Sequence, residues 1–530
     1  MTAFNTTPIR ERLSRAMSHL ANNVYLGTVA VFASAVISRL YWALHSPGAV
    51  YFPDSQCYWP DVHGHVCRSG HSLMVRWVWV WLTRGHISER NVLIVQGVSG
   101  VLAAIVLYWT LRRVRVRGAV IIASASAFIP SLVLMERAIL TESLELFFLV
   151  VGIYAISVLL TTSRLLIVIA SALLGVASIS LASALHPSAL AGAIASDVLI
   201  AYLVIRHMRG RGHKLWRASL VGLSSAIFAV AASIAMLVPM SHVYEHRYKM
   251  RTFNPIENIT LAFRWSPIIP CRDSPHYEPL ARYVINRACH LSNWVDPPGM
   301  NLRPSFSGAT QYSIAHSSGT YARADKQIGA VVHRAILSNV PVVVSQMWRS
   351  IKWQYLYAES HFVFHRASFY VTPKMLTLPY FSTASRWFDS HTRPTVHDQF
   401  PAHLWSQSNK WIRFSNRLMK WTLLSWVLLG LIRLVQRYRR REGWTWRLPR
   451  WTNHTWFLLI VGANVLALMA SIAFSSAPDA RYFVPFIPMM LAALAVVLSA
   501  IIKEMVAWAR EAWFYAWLPA DYVVEIVEVD

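Results

Sequence analysis

The chain has 530 residues, of which 55% are hydrophobic and 14% are charged, and its formal net charge is +25. Soluble globular domains carry about 25% charged residues, so this composition excludes an ordinary soluble protein. Together with a mean hydropathy of +0.38, it indicates a polytopic membrane protein.

Apolar runs long enough to cross a bilayer recur along the chain. A spanning helix needs about 20 apolar residues, and we predict about ten spans. They cover approximately residues 23–44, 91–111, 118–135, 143–161, 165–184, 188–205, 218–239, 420–436, 455–474 and 482–502. The first run lacks a small-residue cleavage site and is longer than the apolar core of a signal peptide, so we predict a retained anchor. The predicted fold class is an all-α polytopic membrane protein.

The basic residues are concentrated on one predicted side of the membrane. If the N-terminus is cytoplasmic, the inner loops hold most of them: Arg112, Arg113, Arg115, Arg117, Arg206, Arg209, Arg211, Lys214, Arg217, Arg433, Arg437, Arg439, Arg440, Arg441, Arg447 and Arg450. The short outer loops hold only Arg137 and Arg481. This is the positive-inside pattern, so topology explains the net charge and no nucleic-acid partner is predicted. Both termini are predicted to be cytoplasmic, with larger outer loops at about 45–90 and 240–419.

All four cysteines fall on the predicted outer side, as Cys57 and Cys67 in the first loop and Cys271 and Cys289 in the large loop. Two local pairs on one face predict two disulfides in an oxidising compartment. Two alternatives stay open for these residues: unpaired thiols, and a zinc site at Cys57 and Cys67. The residues that would complete the zinc site are His63, His65 and His71.

The chain divides into three predicted regions. Residues 1–239 hold seven spans, residues 240–419 form an α-rich outer subdomain, and residues 420–530 hold three spans and a cytoplasmic tail. The subdomain includes a helical segment at 322–357 whose apolar run is too short to span. We predict a helix pair at the outer membrane interface, with Trp348, Trp353 and Tyr355 at the level of the lipid headgroups.

Polar residues recur where the predicted spans leave the outer side of the membrane. They are Asp54 and Asp61 in the first loop, Glu136, Arg137 and Glu142 in the turn before the fourth span, His186 before Pro187, and Arg481 with Tyr482 before the last span. Each also has a structural interpretation. Glu142 can stabilise the N-terminus of its helix, Arg137 can pair with Glu136, and His186 can be a turn residue. Asp197, near the middle of the sixth span, is costly there and is expected to be paired or functional.

The order of these elements resembles the membrane-embedded GT-C glycosyltransferases, including relatives of the protein mannosyltransferases and of the lipid A aminoarabinose transferase. The motifs that carry the resemblance are Asp54, Gly70–Leu73, Glu136–Glu142, His186-Pro187, Ala335–Pro341 and Arg481–Pro485. The sequence departs from the family at Ser55, because many members have a second acid directly after the first.

The resemblance implies a GT-C-like helix bundle that transfers a sugar from a polyprenyl-phosphate donor to an acceptor hydroxyl, with inversion. Asp54 would be the catalytic base, Glu142 would act beside it, and Glu136 or Glu142 would orient hydroxyl groups. Arg137 and Arg481 would bind the donor phosphate, and Asp61, His186 and Tyr482 would contribute to substrate binding. No cofactor is required, because the donor carries the activation. A divalent metal is compatible with this chemistry, although no sequence pattern indicates one.

Several points stay open at the level of sequence. The acceptor is a glycan, a lipid or a protein, and the other partners are membrane lipids. The motifs favour a bacterial plasma membrane with the site facing the periplasm, and an endoplasmic reticulum membrane is the alternative. The competing functions are a transporter or flippase, and a non-catalytic membrane assembly protein.

Overall fold

The structure is a computed structural model. It describes residues 23–45, 71–86, 88–116, 118–137, 141–162, 164–185, 190–210, 214–249, 257–271, 276–291, 319–361, 453–475 and 484–517, with separate positions between 410 and 431. In these ranges the chain forms helices and their connections and no strand, which confirms the all-α prediction.

Fifteen α-helices follow one another along the described chain. They are α1 (Val24–His45), α2 (His71–Leu82), α3 (Glu89–Arg113), α4 (Ala119–Ala127), α5 (Pro130–Arg137), α6 (Glu142–Thr161), α7 (Leu165–Leu185), α8 (Leu190–Gly210), α9 (Leu215–Tyr248), α10 (Glu257–Arg264), α11 (Pro279–Cys289), α12 (Tyr321–Ser338), α13 (Val340–His361), α14 (Asn453–Ser475) and α15 (Ile487–Trp517). A single 3₁₀ turn, Ser266–Ile268, separates α10 from α11.

Six of these helices are long and apolar enough to cross a membrane: α1, α3, α6, α7, α14 and α15. Two bent pairs, α4 with α5 at 49° and α12 with α13 at 90°, raise the number to as many as eight. The chain is therefore a multi-pass membrane protein. The prediction of about ten spans is confirmed only in part. Its sixth and seventh spans lie in α8 and α9, helices of 21 and 34 residues, and its eighth falls where the structure describes only separate positions.

The helix α6 packs extensively against both α3 and α7. Small residues allow the close approach of α6 and α7, since a Cβ at Gly152 would lie 2.5 Å from Cγ1 of Ile179. The first helix, α1, packs on α3 and α4, whereas α8 lies between α9 and α14. Much of α1 exposes large apolar side chains, as expected for a surface that faces lipid.

Three helices between the spans, α10, α11 and α12, pack together, and we call them the loop cluster. A disulfide joins Cys271 to Cys289, the last residue of α11, which confirms this predicted pair. Arg323 Nε donates to Glu278 Oε1 at 2.8 Å, which ties α12 to the start of α11. The cluster reaches the bundle through α10, and α13 also packs on α14.

The predicted interface helix pair is present as α12 and α13. The side chains of Trp353 and Tyr355 lie outside the described residues, and the level of this pair in the membrane stays a prediction.

Candidate functional site

Glu136, in the last turn of α5, is buried and ion-paired with Arg39 of α1. The Arg39 Nε donates to Glu136 Oε2 at 2.8 Å, and Nη2 donates to Oε1, so the contact is bidentate. The planar guanidinium group of Arg39 matches the geometry of the Glu136 carboxylate, so the two charges are paired where both are removed from solvent. Arg137, the partner predicted for Glu136, also acts electrostatically on this carboxylate, and the bidentate contact comes from Arg39 of a different helix.

Arg39 also holds the break between α4 and α5. Pro130 begins α5 and has no backbone N–H to donate, so the helix does not continue through it. The carbonyl oxygen of Ala127 accepts hydrogen bonds from Ser38 Oγ and Arg39 Nη1, both at 2.8 Å. Backbone groups freed within a membrane must be satisfied by protein, and α1 supplies the donors here.

Gly100 of α3 provides the space for this ion pair. A Cβ at this position would overlap the Glu136 carboxylate and would also meet Arg39. The charged groups are thus packed directly against the backbone of α3. A narrow crevice continues from them along Leu146 and Val150 of α6 to Pro488 of α15, so the ends of several helices meet at this point.

Glu142 and Glu145 occupy the first turn of α6, and both are buried. Thr141 Oγ1 donates to Glu142 Oε2 at 3.3 Å. Negative charge is favoured at this end of a helix, where backbone N–H groups are not used by the helix itself. Glu145 precedes Leu146, which shares the crevice with Arg39. The structure therefore brings the predicted residues Glu136 and Glu142 to adjacent ends of α5 and α6, which pack together.

The remaining predicted site residues are not placed by the structure. Asp54, Asp61, His186, Arg481, Tyr482, Cys57 and Cys67 lie outside the described residues. Their proposed roles stay predictions, and so does the first disulfide.

Arg264 joins the loop cluster to the bundle at the C-terminal end of α14. Its Nε and Nη2 donate to the carbonyl oxygen of Ala473 at 3.2 and 2.7 Å. Its guanidinium lies 4.9 Å from the ring centroid of Trp265, and that ring is 6.0 Å from the ring of Phe474. A cation is favoured at a helix C-terminus. Burial lowers the pKa of Arg264 to about 10, so it remains charged at neutral pH.

A second buried group in the loop cluster is Asp325 of α12. Asn258 Nδ2 of α10 donates to Asp325 Oδ2 at 2.8 Å. Burial raises the pKa of Asp325 to about 6, against the hydrogen bond from Asn258, and the nearby Glu257 carboxylate raises it further. Burial also raises the pKa of Glu257, and the nearby His333 opposes that shift.

Polar residues also meet in the interior of the bundle. Asn464 Nδ2 of α14 donates to Ser196 Oγ of α8 at 3.1 Å, and Asp197 beside it is almost fully buried. Asp197 is therefore enclosed by protein, and its expected role as a paired or functional acid stays a prediction.

Only one group of side chains in the described residues has metal-ligand spacing, namely Cys271, Cys289 and His290. The disulfide occupies both sulfur atoms, and a metal would need them as thiolates. As paired here, this group does not fit a metal.

Two residues that are important in the structure, Arg39 and Arg264, were not predicted from the sequence. Arg39 could have been identified, because a charge inside an apolar span is expected to be paired or functional. Arg264 carries no comparable signal, since arginines are common in loops.

Comparisons with protein-family models, with curated proteins and with solved structures found no match.

Proposed function

We propose that this protein is a membrane glycosyltransferase that moves a sugar from a polyprenyl-phosphate donor to an acceptor hydroxyl on the outer face of the membrane. The observation that favours this function most is the burial of Glu142 and Glu145 at the start of α6, the helix that packs on α5 with its buried Arg39–Glu136 pair. Carboxylates that are buried within a membrane protein are costly and usually functional or paired, and this chemistry uses carboxylates to bind hydroxyl groups and to accept a proton.

In the proposed reaction the acceptor oxygen attacks the anomeric carbon as the bond to the donor phosphate breaks. The proton of the acceptor hydroxyl passes to Asp54, which acts as general base. The lipid phosphate leaves with the bonding electrons as a stable anion. It needs charge stabilisation rather than protonation, and Arg137 and Arg481 are the proposed ligands. The configuration at the anomeric carbon inverts.

Glu136 and Glu142 have different parts in this proposal. Both oxygens of Glu136 accept hydrogen bonds from Arg39, so we assign Glu136 to positioning the end of α5. Glu142 begins the next helix, and we assign it to orienting substrate hydroxyls. The loop cluster, attached at Ala473 by Arg264, would recognise the acceptor.

The test is sugar transfer by the full chain in lipid nanodiscs, with polyprenyl-phosphate donors that carry different pentoses and hexoses. We expect Asp54→Asn and Glu142→Gln to lose most transfer. Glu442→Gln, in the predicted cytoplasmic loop, should retain it and serves as the matched carboxylate control. Undiminished transfer by Asp54→Asn would remove Asp54 as the base. No transfer by the unmodified chain from any donor would refute the function.

A second candidate, a transporter or flippase, is favoured by one observation. Asp197 is 1% exposed in α8, next to the Ser196–Asn464 contact, and buried acids in spans are common in ion and proton pathways. Counterflow of a labelled solute in liposomes, lost in Asp197→Asn and unaccompanied by a glycosylated product, would favour this candidate.

A further inference from the structure

The helices α12 and α13 meet at a right angle and form an elbow around Leu337 and Val340. The apex of this elbow is apolar and exposed. Leu337 is 74% exposed and Val340 is 47% exposed. A soluble subdomain would be expected to bury such a corner, so an exposed apolar apex indicates a binding surface.

The two faces of α13 differ in character. Val343 and Ser350 are buried, seven residues apart and therefore on one face, and α13 packs against α14. The exposed face carries Val340, Val344 and Trp348, which follow one another at intervals of four residues. Lys352 continues the same stripe. This face therefore changes from aliphatic to aromatic to cationic with distance from the apex.

The other arm of the elbow, α12, also changes from apolar to cationic with distance from the apex, without an aromatic residue between. Its buried face, which includes Asp325, Ile328 and Val332, packs into the loop cluster. Its exposed face runs from Leu337 at the apex to Arg334 and then to Lys326. Aliphatic residues, then Trp, then Lys or Arg is the order in which side chains meet hydrocarbon, the lipid interface and the headgroups.

The elbow is also continuous with the spanning bundle. Its second arm packs on α14, and its first arm belongs to the cluster that Arg264 attaches to the C-terminal end of α14. Both arms are thus held next to a helix that is long and apolar enough to cross the membrane.

We propose that the elbow is a wedge inserted into the outer leaflet of the bilayer. Leu337, Val340 and Val344 contact acyl chains, and Trp348 lies at the interface. Lys326, Arg334 and Lys352 are attracted to anionic lipid headgroups. With both arms inclined equally, the eight residue steps from Val340 to Trp348 place the apex about 8 Å deeper than the indole. Interfacial helices bury their apolar faces to a similar depth, roughly 5–10 Å. This placement does not depend on the reaction that the protein catalyses.

The experiment measures depth with nitroxide spin labels on single cysteines. Leu337→Cys and Val344→Cys are made in a background with Cys57→Ser and Cys67→Ser, in which the Cys271–Cys289 disulfide is kept. The labelled chain is reconstituted into vesicles of zwitterionic and anionic phospholipid. We expect both labels to collide more often with oxygen, which concentrates in hydrocarbon, than with a water-soluble nickel chelate.

Controls on the same cluster should show the opposite order. Labels at Lys326→Cys and at Arg287→Cys, an exposed site on α11, should collide more often with the nickel chelate. Replacing Lys326, Arg334 and Lys352 together by Gln should make the apex shallower in anionic vesicles and leave it unchanged in zwitterionic ones. If Leu337→Cys disturbs the fold, the label at Val342→Cys, which is also exposed, replaces it.

Two outcomes would overturn the proposal. Apex labels that favour the nickel chelate would place the elbow in water. Apex labels that neither reagent reaches, with spin–spin broadening between chains, would mean that a second copy of the protein covers this surface.

Discussion

Arg39 and Glu136, which lie 97 residues apart in the chain, form a buried bidentate ion pair between α1 and α5. The same guanidinium donates to the Ala127 carbonyl at the end of α4. One arginine therefore holds a carboxylate and the break in a bent helix pair at once.

The first prediction concerns this pair. Arg39→Gln should destabilise the protein by about 3–5 kcal/mol, because a buried carboxylate then lacks its partner. The double variant Arg39→Met with Glu136→Leu should recover much of the loss, since an apolar pair of similar size removes both charges. Unfolding in mixed detergent micelles measures the difference. A double variant as unstable as Arg39→Gln would show that the Ala127 contact, and not the ion pair, carries the stability.

The second prediction tests the close packing at Gly100. Gly100→Ala should destabilise the protein by about 1–3 kcal/mol, because the added Cβ overlaps the Glu136 carboxylate. Gly97→Ala, in the same helix with nothing within 4 Å of the added Cβ, is the matched control. It should be neutral or stabilise by up to about 1 kcal/mol, because Ala favours a helix. Equal effects at both positions would contradict the proposed packing. The measurement is again unfolding in mixed micelles.

The third prediction concerns the attachment of the loop cluster. Arg264→Met keeps an unbranched side chain and removes both hydrogen bonds to Ala473. A buried carbonyl without its donor costs about 1–3 kcal/mol, so amide hydrogen exchange should rise in α10 and at the end of α14. Arg323→Met, which breaks the exposed pair with Glu278, is the control and should leave α14 unchanged. Unaltered exchange in Arg264→Met would refute the attachment.

The fourth prediction is a pH dependence in the loop cluster. The pKa of Asp325 is raised to about 6 in the folded protein, from an ordinary value of 3.8. The folded state therefore binds the proton more tightly, and stability falls as the pH rises from about 4 to above 6. The loss amounts to roughly 3 kcal/mol at most.

Asp325→Asn should abolish most of this slope and stabilise the cluster at neutral pH, because the amide keeps an acceptor for Asn258 without a charge. Glu257 contributes in the same direction, since its pKa is also raised, so a smaller slope should remain. Hydrogen exchange of α10 and α12 between pH 4 and pH 8 measures the effect. An unchanged slope in Asp325→Asn would show that the pKa of this group is not perturbed.

The fifth prediction concerns the cysteines. Peptide mass spectrometry without reductant should find Cys271 linked to Cys289, as in the structure. It should also find Cys57 linked to Cys67, as the sequence predicts. Replacing Cys271 and Cys289 by Ser should destabilise the loop cluster by about 3 kcal/mol, the value for a loop of similar length. Free thiols at Cys57 and Cys67 would restore the zinc interpretation of the first loop.

Much of the architecture could be predicted because it depends on properties that are local in the chain. The apolar runs at 23–44, 143–161 and 165–184 became α1, α6 and α7 almost residue for residue, since a helix in a membrane must satisfy its own backbone. The run at 118–135 was predicted as one span, yet it forms two helices bent by 49°. Pro130 was a visible reason for that break.

Composition and hydropathy were sufficient to predict an all-α, multi-pass membrane protein, and local spacing predicted the Cys271–Cys289 pair. The packing of distant helices, by contrast, is what brings Arg39 to both oxygens of Glu136 and Arg264 to the end of α14. The two kinds of information differ in the distance along the chain over which they act. Hydropathy and helix-breaking residues act over a few positions of the chain. The partner of a buried charge, in contrast, depends on which residues of distant helices are brought within hydrogen-bond distance by packing.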